Sequence, residues 1–371
     1  MKNGSRLAAL GGVVVAGALA LSACGSDDNN GGGGSTGATS AAAANIDCAK
    51  GAINAAGSSA QKNAIEEWTK VYTSKCSGAN INYNPSGSGA GIQAFTSGQV
   101  AFAGSDSALK PEEHGPADAR CKTGKAIDLP MVPGPIAVVY KLNGVDGLQL
   151  SPKTLAGIFA GKITKWNDAA IAKENSGAKL PSTAIKTLHR SDDSGTSDNF
   201  TKYLKATAPD VWSFEPGKKW VAPGGQGLKG SDGISTALKQ TEGSISYVEL
   251  SFASNNSLQT AKLQNGAGEY TEISPENASK AVQGAQIVGT GNDLALKLDY
   301  NTKVAGAYPL VLVTYEIACE KGLPAEQATF VKSFLTYISS PEGQQSLTSQ
   351  GYAPLPDNIA TKVRETVKGL S

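Results

Sequence analysis

The stretch 52–104, AINAAGSSAQKNAIEEWTKVYTSKCSGANINYNPSGSGAGIQAFTSGQVAFAG, decides the fold. Strand-like apolar runs at 52–56, 80–83 and 100–104 alternate in it with helical patterns at 61–74 and 91–98. Short buried strands separated by crossover helices predict a parallel sheet covered on both faces. Glycine, 44 of 371 residues, exceeds the usual share of roughly 7%. Outside the N-terminal region it concentrates where strands turn into helices, the junctions at which open α/β sheets bind ligands.

Working outward, the long apolar run 126–140 contains Pro130, Pro133, Gly134 and Pro135. Prolines interrupt a central strand, so the run is expected to break up and cross between domains. A second α/β unit follows, with helices at 152–160, 196–205 and 233–240 and strands at 184–189 and 244–248. The run 308–317, with Pro309, reads as a return crossing, and helices at 324–338 and 343–350 close the first unit. The expected architecture is two α/β lobes joined by two crossing strands with a ligand cleft between them. Lobe I takes 46–134 and 308–371, and lobe II takes 135–307. A body of this length exceeds the size at which single cores usually stop growing.

The N-terminus points outside the cell. Lys2 and Arg6 precede an uncharged Ala/Val/Leu/Gly-rich segment at 7–21, too short to span a bilayer and shaped like an export signal. Leu21-Ser22-Ala23-Cys24 looks like a bacterial lipobox, which predicts a signal peptide over 1–23 and lipid on Cys24. Residues 24–45 hold almost nothing that could be buried and are expected to act as a tether with a reach of roughly 25 Å. The protein would then sit at the outer face of the cytoplasmic membrane, held by lipid.

The chain carries 33 Lys+Arg and 32 Asp+Glu, and removal of Lys2 and Arg6 leaves 31 against 32. Anion binding therefore needs local donors, not a broad positive field, and nothing in the balance suits nucleic acid. After Cys24 come Cys48, Cys76, Cys121 and Cys319, an even number suited to an oxidising compartment. Three pairings are possible in principle. Cys48 with Cys76 is favoured because each immediately precedes a predicted neighbouring strand, which leaves Cys121 with Cys319. No CxxC spacing occurs and the only histidines are His114 and His189, so no metal site and no cofactor are expected. A monomer is expected.

Three strand-to-helix junctions carry small hydroxylated segments: Gly57-Ser58-Ser59-Ala60, Ser86-Gly87-Ser88-Gly89-Ala90-Gly91 and Ser194-Gly195-Thr196. Each presents free backbone N–H groups at a positive helix end, an anion site in waiting. One such junction is weak evidence, since Ser and Thr cap helices everywhere; three together with Arg190 are stronger. Arg190, Asp192 and Ser194 are spaced by two, so an extended segment turns all three to one side. Arg190 can fork onto two oxygens of an oxyanion while Asp192 holds the guanidinium. Asp193 points the other way and is expected to be solvated.

Asp106, in Ala103-Gly104-Ser105-Asp106-Ser107, is the odd member, because a carboxylate repels an anion. Phosphate at neutral pH still bears a proton that a carboxylate can accept, whereas sulfate bears none. Facing acceptors in a buried site cost on the order of 1–3 kcal/mol or more, and sites built around such a bond reject analogues that lack it. Asp106 would act as a filter against sulfate.

These segments, with Ile158-Phe159-Ala160-Gly161-Lys162-Ile163, Trp166-Asn167-Asp168, His189-Arg190-Ser191-Asp192-Asp193-Ser194-Gly195-Thr196 and Gly230-Ser231-Asp232-Gly233 before Ile245-Ser246-Tyr247-Val248, occur in family order across almost the whole mature chain. Together they resemble the phosphate-binding protein of the bacterial phosphate-specific ABC transporter. The resemblance implies a type II periplasmic-binding-protein fold, phosphate in the cleft, a membrane permease as partner, and no catalysis. By position it implies Ser59, the Ala60 backbone N–H, Ser88, Asp106, Arg190, Ser194, Gly195 and Thr196 as ligands, with Asp192 orienting Arg190. Ala60 stands where the family often has a bulkier residue, Ser59 replaces a common Thr, and Asp193 occupies a position that is often Gly.

The four tryptophans, Trp68, Trp166, Trp212 and Trp220, read as packing residues, and Asp232 as the N-cap of the following helix. A receptor for another oxyanion such as sulfate or molybdate would use similar helix ends but would have no need of Asp106. A hydrolase is disfavoured, because Ser88 has Ser86 and Ala90 where a nucleophile elbow needs Gly. A purely adhesive lipoprotein would bind no small anion.

Overall fold

Period-two burial builds the first strand, β1 (Gly51–Gly57), whose Ile53 and Ala55 are buried beside exposed Ala52 and Asn54. A 3.6-residue stripe follows in α1 (Lys62–Lys75), which buries Ala64, Ile65, Trp68 and Tyr72. The computed structural model describes residues 46–371; the expected signal at 1–23 and the tether with Cys24 at 24–45 lie outside the described residues. β2 (Ala79–Asn84), α2 (Ser88–Thr96), β3 (Phe102–Ser105), α3 (Pro111–Arg120) and β4 (Ala126–Lys141) complete the first run. Then come β5 (Gln149–Leu150), α4 (Pro152–Phe159), α5 (Ala169–Glu174), β6 (Lys186–Arg190), α6 (Gly195–Thr207), β7 (Gln226–Leu228), α7 (Gly230–Gln240), β8 (Ser244–Glu249) and α8 (Leu250–Asn255). The chain returns through β9 (Gln259–Thr260), β10 (Lys262–Gln264), β11 (Tyr270–Thr271), α9 (Pro275–Val282), β12 (Gln286–Ile287), β13 (Leu296–Lys297) and β14 (Val311–Cys319). Helices α10 (Ala325–Ser339), α11 (Pro341–Gln345) and α12 (Asp357–Lys368) close it.

The main sheet runs β2-β1-β3-β14-β4-β8-β6-β7, with β9 beside β4. The all-parallel expectation holds only at its two ends. β1 is parallel to β2 and β3, and β6 to β7 and β8, but β4 and β14 are antiparallel to each other and to β8 and β3. One sheet thus serves both α/β lobes of a type II periplasmic-binding-protein fold, crossed in the middle by two long strands.

The prolines do not interrupt β4, which continues for 16 residues. Its first part, through Pro135, pairs with β14, and from Ile136 onward it pairs with β8. The register against β14 slips between Thr314 and Tyr315, so Val132 and Pro130 face consecutive β14 residues. Ile136 donates to the Leu310 carbonyl, and with the slip, alternation turns the missing N–H of Pro130, Pro133 and Pro135 away from β14. Proline is tolerated where no ladder donor is needed.

Among the described residues, four apolar clusters lie along this sheet, and two of them are large. Trp68, Tyr72, Phe102, Phe334 and Tyr337 anchor the first, and Trp166, Phe200, Tyr203, Trp212 and Tyr247 the second. Trp220 stacks on His189 at 4.9 Å, so all four tryptophans pack within the protein. Ala278, Ala281, Val282, Ala285 and Leu294 fall in the first core, although 135–307 was expected as a single lobe II. The cause is that α9 lies against β4 and β14. The sequence also missed α12, whose Ile359, Ala360, Val363 and Val367 cover the first core. The helix expected at 343–350 runs Pro341–Gln345 and ends in a single 3-10 turn. No helix among the described residues is long and apolar enough to cross a membrane.

Cys48 is bonded to Cys76 and Cys121 to Cys319, each pair with Cα atoms 5.2 Å apart. The second bond closes a separation of 198 residues and ties the end of α3 to the end of β14. Replacing Cys121 and Cys319 together by serine is expected to cost about 2–5 kcal/mol of stability. Denaturant unfolding would show it as a lower midpoint, and an unchanged midpoint would contradict it.

Candidate functional site

The predicted ligand residues cluster at strand ends and helix starts: after β1, at the start of α2, after β3, at the end of β6 and at the start of α6. β1 ends at Gly57, whose φ of +144° favours glycine and whose added Cβ would stand 2.0 Å from the Gly104 carbonyl oxygen of β3. That close approach brings Ser58 onto Asp106, the residue after β3. The Ser58 hydroxyl donates to Asp106 Oδ1 at 2.5 Å, the Thr314 hydroxyl to the same oxygen at 2.8 Å, and the Ser88 hydroxyl to Oδ2 at 3.1 Å. A carboxylate offers about four lone-pair sites. Three are filled by hydroxyls, which leaves one on Oδ2.

On the far side, Arg190 closes β6 and is 2% exposed. Its Nε donates to Asp192 Oδ1 at 2.8 Å and its Nη2 to Asp192 Oδ2. Its Nη1 makes only long contacts of 3.4 Å to the Thr196 and Ser231 hydroxyls. Guanidinium donors therefore remain for a ligand. Burial works against the charge of Arg190, but the bonds and charge of Asp192 outweigh it and hold its pKa above the usual value. Burial likewise pushes Asp192 up, and the Arg190 bond overrides it to leave the carboxyl below its usual range. Burial raises Asp106 to about 6, opposed by the Ser58 hydroxyl and reinforced by the Glu249 charge.

The other ligand candidates divide by what is already committed. Ser88 Oγ accepts from the Asp106 and Gly195 N–H groups besides donating to Asp106. Its free contribution is its first-turn backbone N–H, which has no acceptor among the described residues. Ser194 Oγ caps α6 by accepting from Ser197 N–H, leaving its hydroxyl proton to donate. The N–H groups of Ser59 and Thr196 also have no acceptor among the described residues. The Ala60 N–H, by contrast, turns to the Ser58 hydroxyl at 3.0 Å.

Four residues were missed. Ser58 lay in the quoted Gly57-Ser58-Ser59-Ala60 segment, where the resemblance singled out Ser59, and Thr314 lies on the return strand, where no motif marks it. Ser231 opens α7 beside the long Nη1 contact of Arg190; it lay in the quoted Gly-Ser-Asp-Gly segment, where attention went to Asp232. Glu249, one residue past the predicted strand, is fully buried and accepts from the Thr196 and Ser231 hydroxyls at 2.6 and 2.7 Å. Asp232 is not an N-cap. Lys229 holds that place, and Asp232 sits in the first turn of α7, paired with Lys62 at 2.9 Å. Asp193 is half-buried against Gly89, whose N–H donates to the Asp193 carbonyl at 3.0 Å.

The cleft walls touch. Ser59 Oγ meets Ser231 Oγ at 3.0 Å, Asn199 Nδ2 donates to the Asp106 carbonyl at 2.7 Å, and Ser107 donates to Asp198 at 2.6 Å. A Cβ on Gly195 would lie 2.5 Å from both Ser88 Oγ and Asp106 Cβ. Gly195→Ala is therefore expected to prop the cleft open and cost about 1–3 kcal/mol of ligand affinity, roughly a 5- to 150-fold loss by titration. Wild-type affinity in this variant would show that the walls need not meet.

A donor-lined cleft between two α/β lobes carried by one sheet defines a solute-binding protein of the periplasmic-binding class. A family model described as a PBP superfamily domain matches residues 34–342. Phosphate-binding protein PstS 3 of Mycobacterium tuberculosis is 43% identical over 371 residues, 99% of each chain, and PstS 3 of Mycobacterium leprae is 40% identical over 97% of each. Phosphate-binding protein PstS of Xylella fastidiosa is 33% identical over 84% of this chain and 83% of its own. The chain belongs to the PstS family of solute-binding proteins within the PBP superfamily. The fold is shared with a periplasmic phosphate-binding protein (PfluDING) bound with phosphate, at a TM-score of 0.71 and 24% identity over 85% of this chain and 93% of that one.

Proposed function

We propose that the protein binds inorganic phosphate outside the cell, tightly and without catalysis, and delivers it to an ABC-type phosphate permease. The observation that carries this reading is a carboxylate with one open acceptor site, Asp106, set among helix-end N–H donors and a buried arginine. That mixture suits a tetrahedral oxyanion that still bears a proton. Arg190, oriented by Asp192, grips two phosphate oxygens. Ser59, Ser88, Ser194 and Thr196 supply N–H and O–H donors, and Ala60 and Gly195 add theirs when the ligand takes over from the Ser58 and Ser88 hydroxyls that now accept them. Asp106 accepts the phosphate proton. Lobes I and II close over the ligand, and the closed form is what the permease receives. Lipid on Cys24 holds the protein, as a monomer, to the outer face of the cytoplasmic membrane.

The test is calorimetric titration of the phosphate-stripped full chain, in detergent at neutral pH, with phosphate and then sulfate. One-to-one phosphate binding is expected, with stabilisation of about 2.7 kcal/mol at a hundredfold excess over Kd and no response to sulfate. Equal sulfate binding, or no anion binding at all, would overturn the proposal.

A further inference from the structure

We infer a divalent metal site, separate from the cleft, formed by His114, Asp128 and Asp293. Nothing in the sequence pointed to it, because its ligands come from α3, β4 and the loop between β12 and β13. One ligand atom from each residue lies within 4.8 Å of the other two.

The backbone sets this meeting up. Asp128 N–H donates to Asp293 Oδ1 at 3.0 Å, and Leu294 N–H donates to the Asp128 carbonyl at 3.0 Å. The loop is thereby pinned edge-on to β4 with the two carboxylates adjacent. Asp128 is fully buried and its carboxylate takes one protein donor, the Leu109 N–H, shared between both oxygens at 3.1 Å. Lys218, whose charge reaches Asp128, is already paired with Glu113 at 3.0 Å. Two facing carboxylates, Asp128 buried and Asp293 half-buried, need a proton or a cation between them, and a metal ion would take the proton's place. The His114 ring, half-buried, has no hydrogen-bond partner among the described residues and completes a nitrogen–oxygen–oxygen set.

His114 and Asp293 line a cavity of about 680 Å³ that also presents Asp118, Glu320 and one cation, Lys125. A bound ion could therefore keep water in its remaining positions, as three-ligand sites do. One imidazole with two carboxylates suits a first-row divalent ion, with Zn²⁺ the natural probe. Ligand atoms around a tetrahedral ion stand about 3.4 Å apart, so closure asks for side-chain shifts on the order of 1 Å. Two carboxylates, a neutral imidazole and a dication leave no net charge. Leu109, hydrogen-bonded to Asp128, is three residues past Asp106, so the ion would brace the segment that carries the cleft carboxylate.

The experiment takes the full chain, stripped with chelator in phosphate-free buffer with detergent, and titrates Zn²⁺ calorimetrically, with Co²⁺ absorbance as a second readout. One ion per chain is expected, with d–d bands showing nitrogen and oxygen ligation. Removing outer-shell partners of a metal costs about 10–100-fold in affinity, so His114→Ala and Asp293→Asn should each weaken binding by at least that much. In metal-free buffer His114→Ala should unfold at the wild-type temperature and Asp293→Asn no lower than it, since the amide removes one of two facing carboxylates, which separates ligand loss from misfolding. Absence of binding, or an ion that both variants retain at wild-type affinity, would overturn the assignment.

Discussion

Arg190→Ala is expected to weaken phosphate binding by roughly 10²- to 10⁴-fold. Two charge-assisted hydrogen bonds at about 1.5–3 kcal/mol each account for that range. The structure adds a reason for the upper end. The charges of Asp192, Glu249 and Asp106 all act on the guanidinium, which among the described residues is the one cation in contact with the Thr196 and Ser231 hydroxyls. Without it, an anion would enter a pocket of carboxylates. Arg190→Lys should fall between, since a point charge remains while the fork that pairs with Asp192 through Nε and Nη2 is lost. Asp192→Asn should cost less than Arg190→Ala, because it loosens the guanidinium without removing the charge. Titration of the three variants beside wild type checks the order. Near-wild-type binding by Arg190→Ala would remove Arg190 from the site.

The parts of this site legible in the sequence are those encoded by local chemistry. Gly-Ser runs at strand ends mark helix N-termini wherever they occur, and the spacing of Arg190 from Asp192 puts a cation and its orienting anion on one side of a strand end. What stayed hidden depends on strand pairing. Thr314 reaches Asp106 because Tyr315 of β14 pairs with Ser105 of β3, a register that no local pattern specifies. Glu249 matters because β8 ends beside α6 and α7, where its carboxylate receives Thr196 and Ser231. The prolines of β4 misled for the same reason: whether proline breaks a strand depends on which edge is paired, and the register slip beside Met131 decides that. The site formed by His114, Asp128 and Asp293 is the extreme case, with every ligand from a different element.

Asp106→Asn is expected to lower the ratio of phosphate to sulfate affinity by about a hundredfold or more, since sites that demand a particular hydrogen bond discriminate by up to roughly 10⁴–10⁵. The amide can keep contact with the Ser58, Thr314 and Ser88 hydroxyls, which rotate to suit. It replaces an acceptor with a donor toward the ligand, however. Sulfate then loses its clash and phosphate its proton acceptor. The pH dependence gives an independent arm. Burial raises the Asp106 carboxyl to about 6, so in the unliganded protein it is an ionised acceptor at pH 7.5 and mostly protonated at pH 5. Acidification should therefore make the wild type behave like the asparagine variant. Sulfate binding should emerge as pH falls through about 6, while the variant binds sulfate equally at both pH values. Competition titrations at pH 7.5 and 5 decide it. Continued rejection of sulfate by the variant, or by the wild type at pH 5, would mean that pocket size and not the carboxylate excludes it.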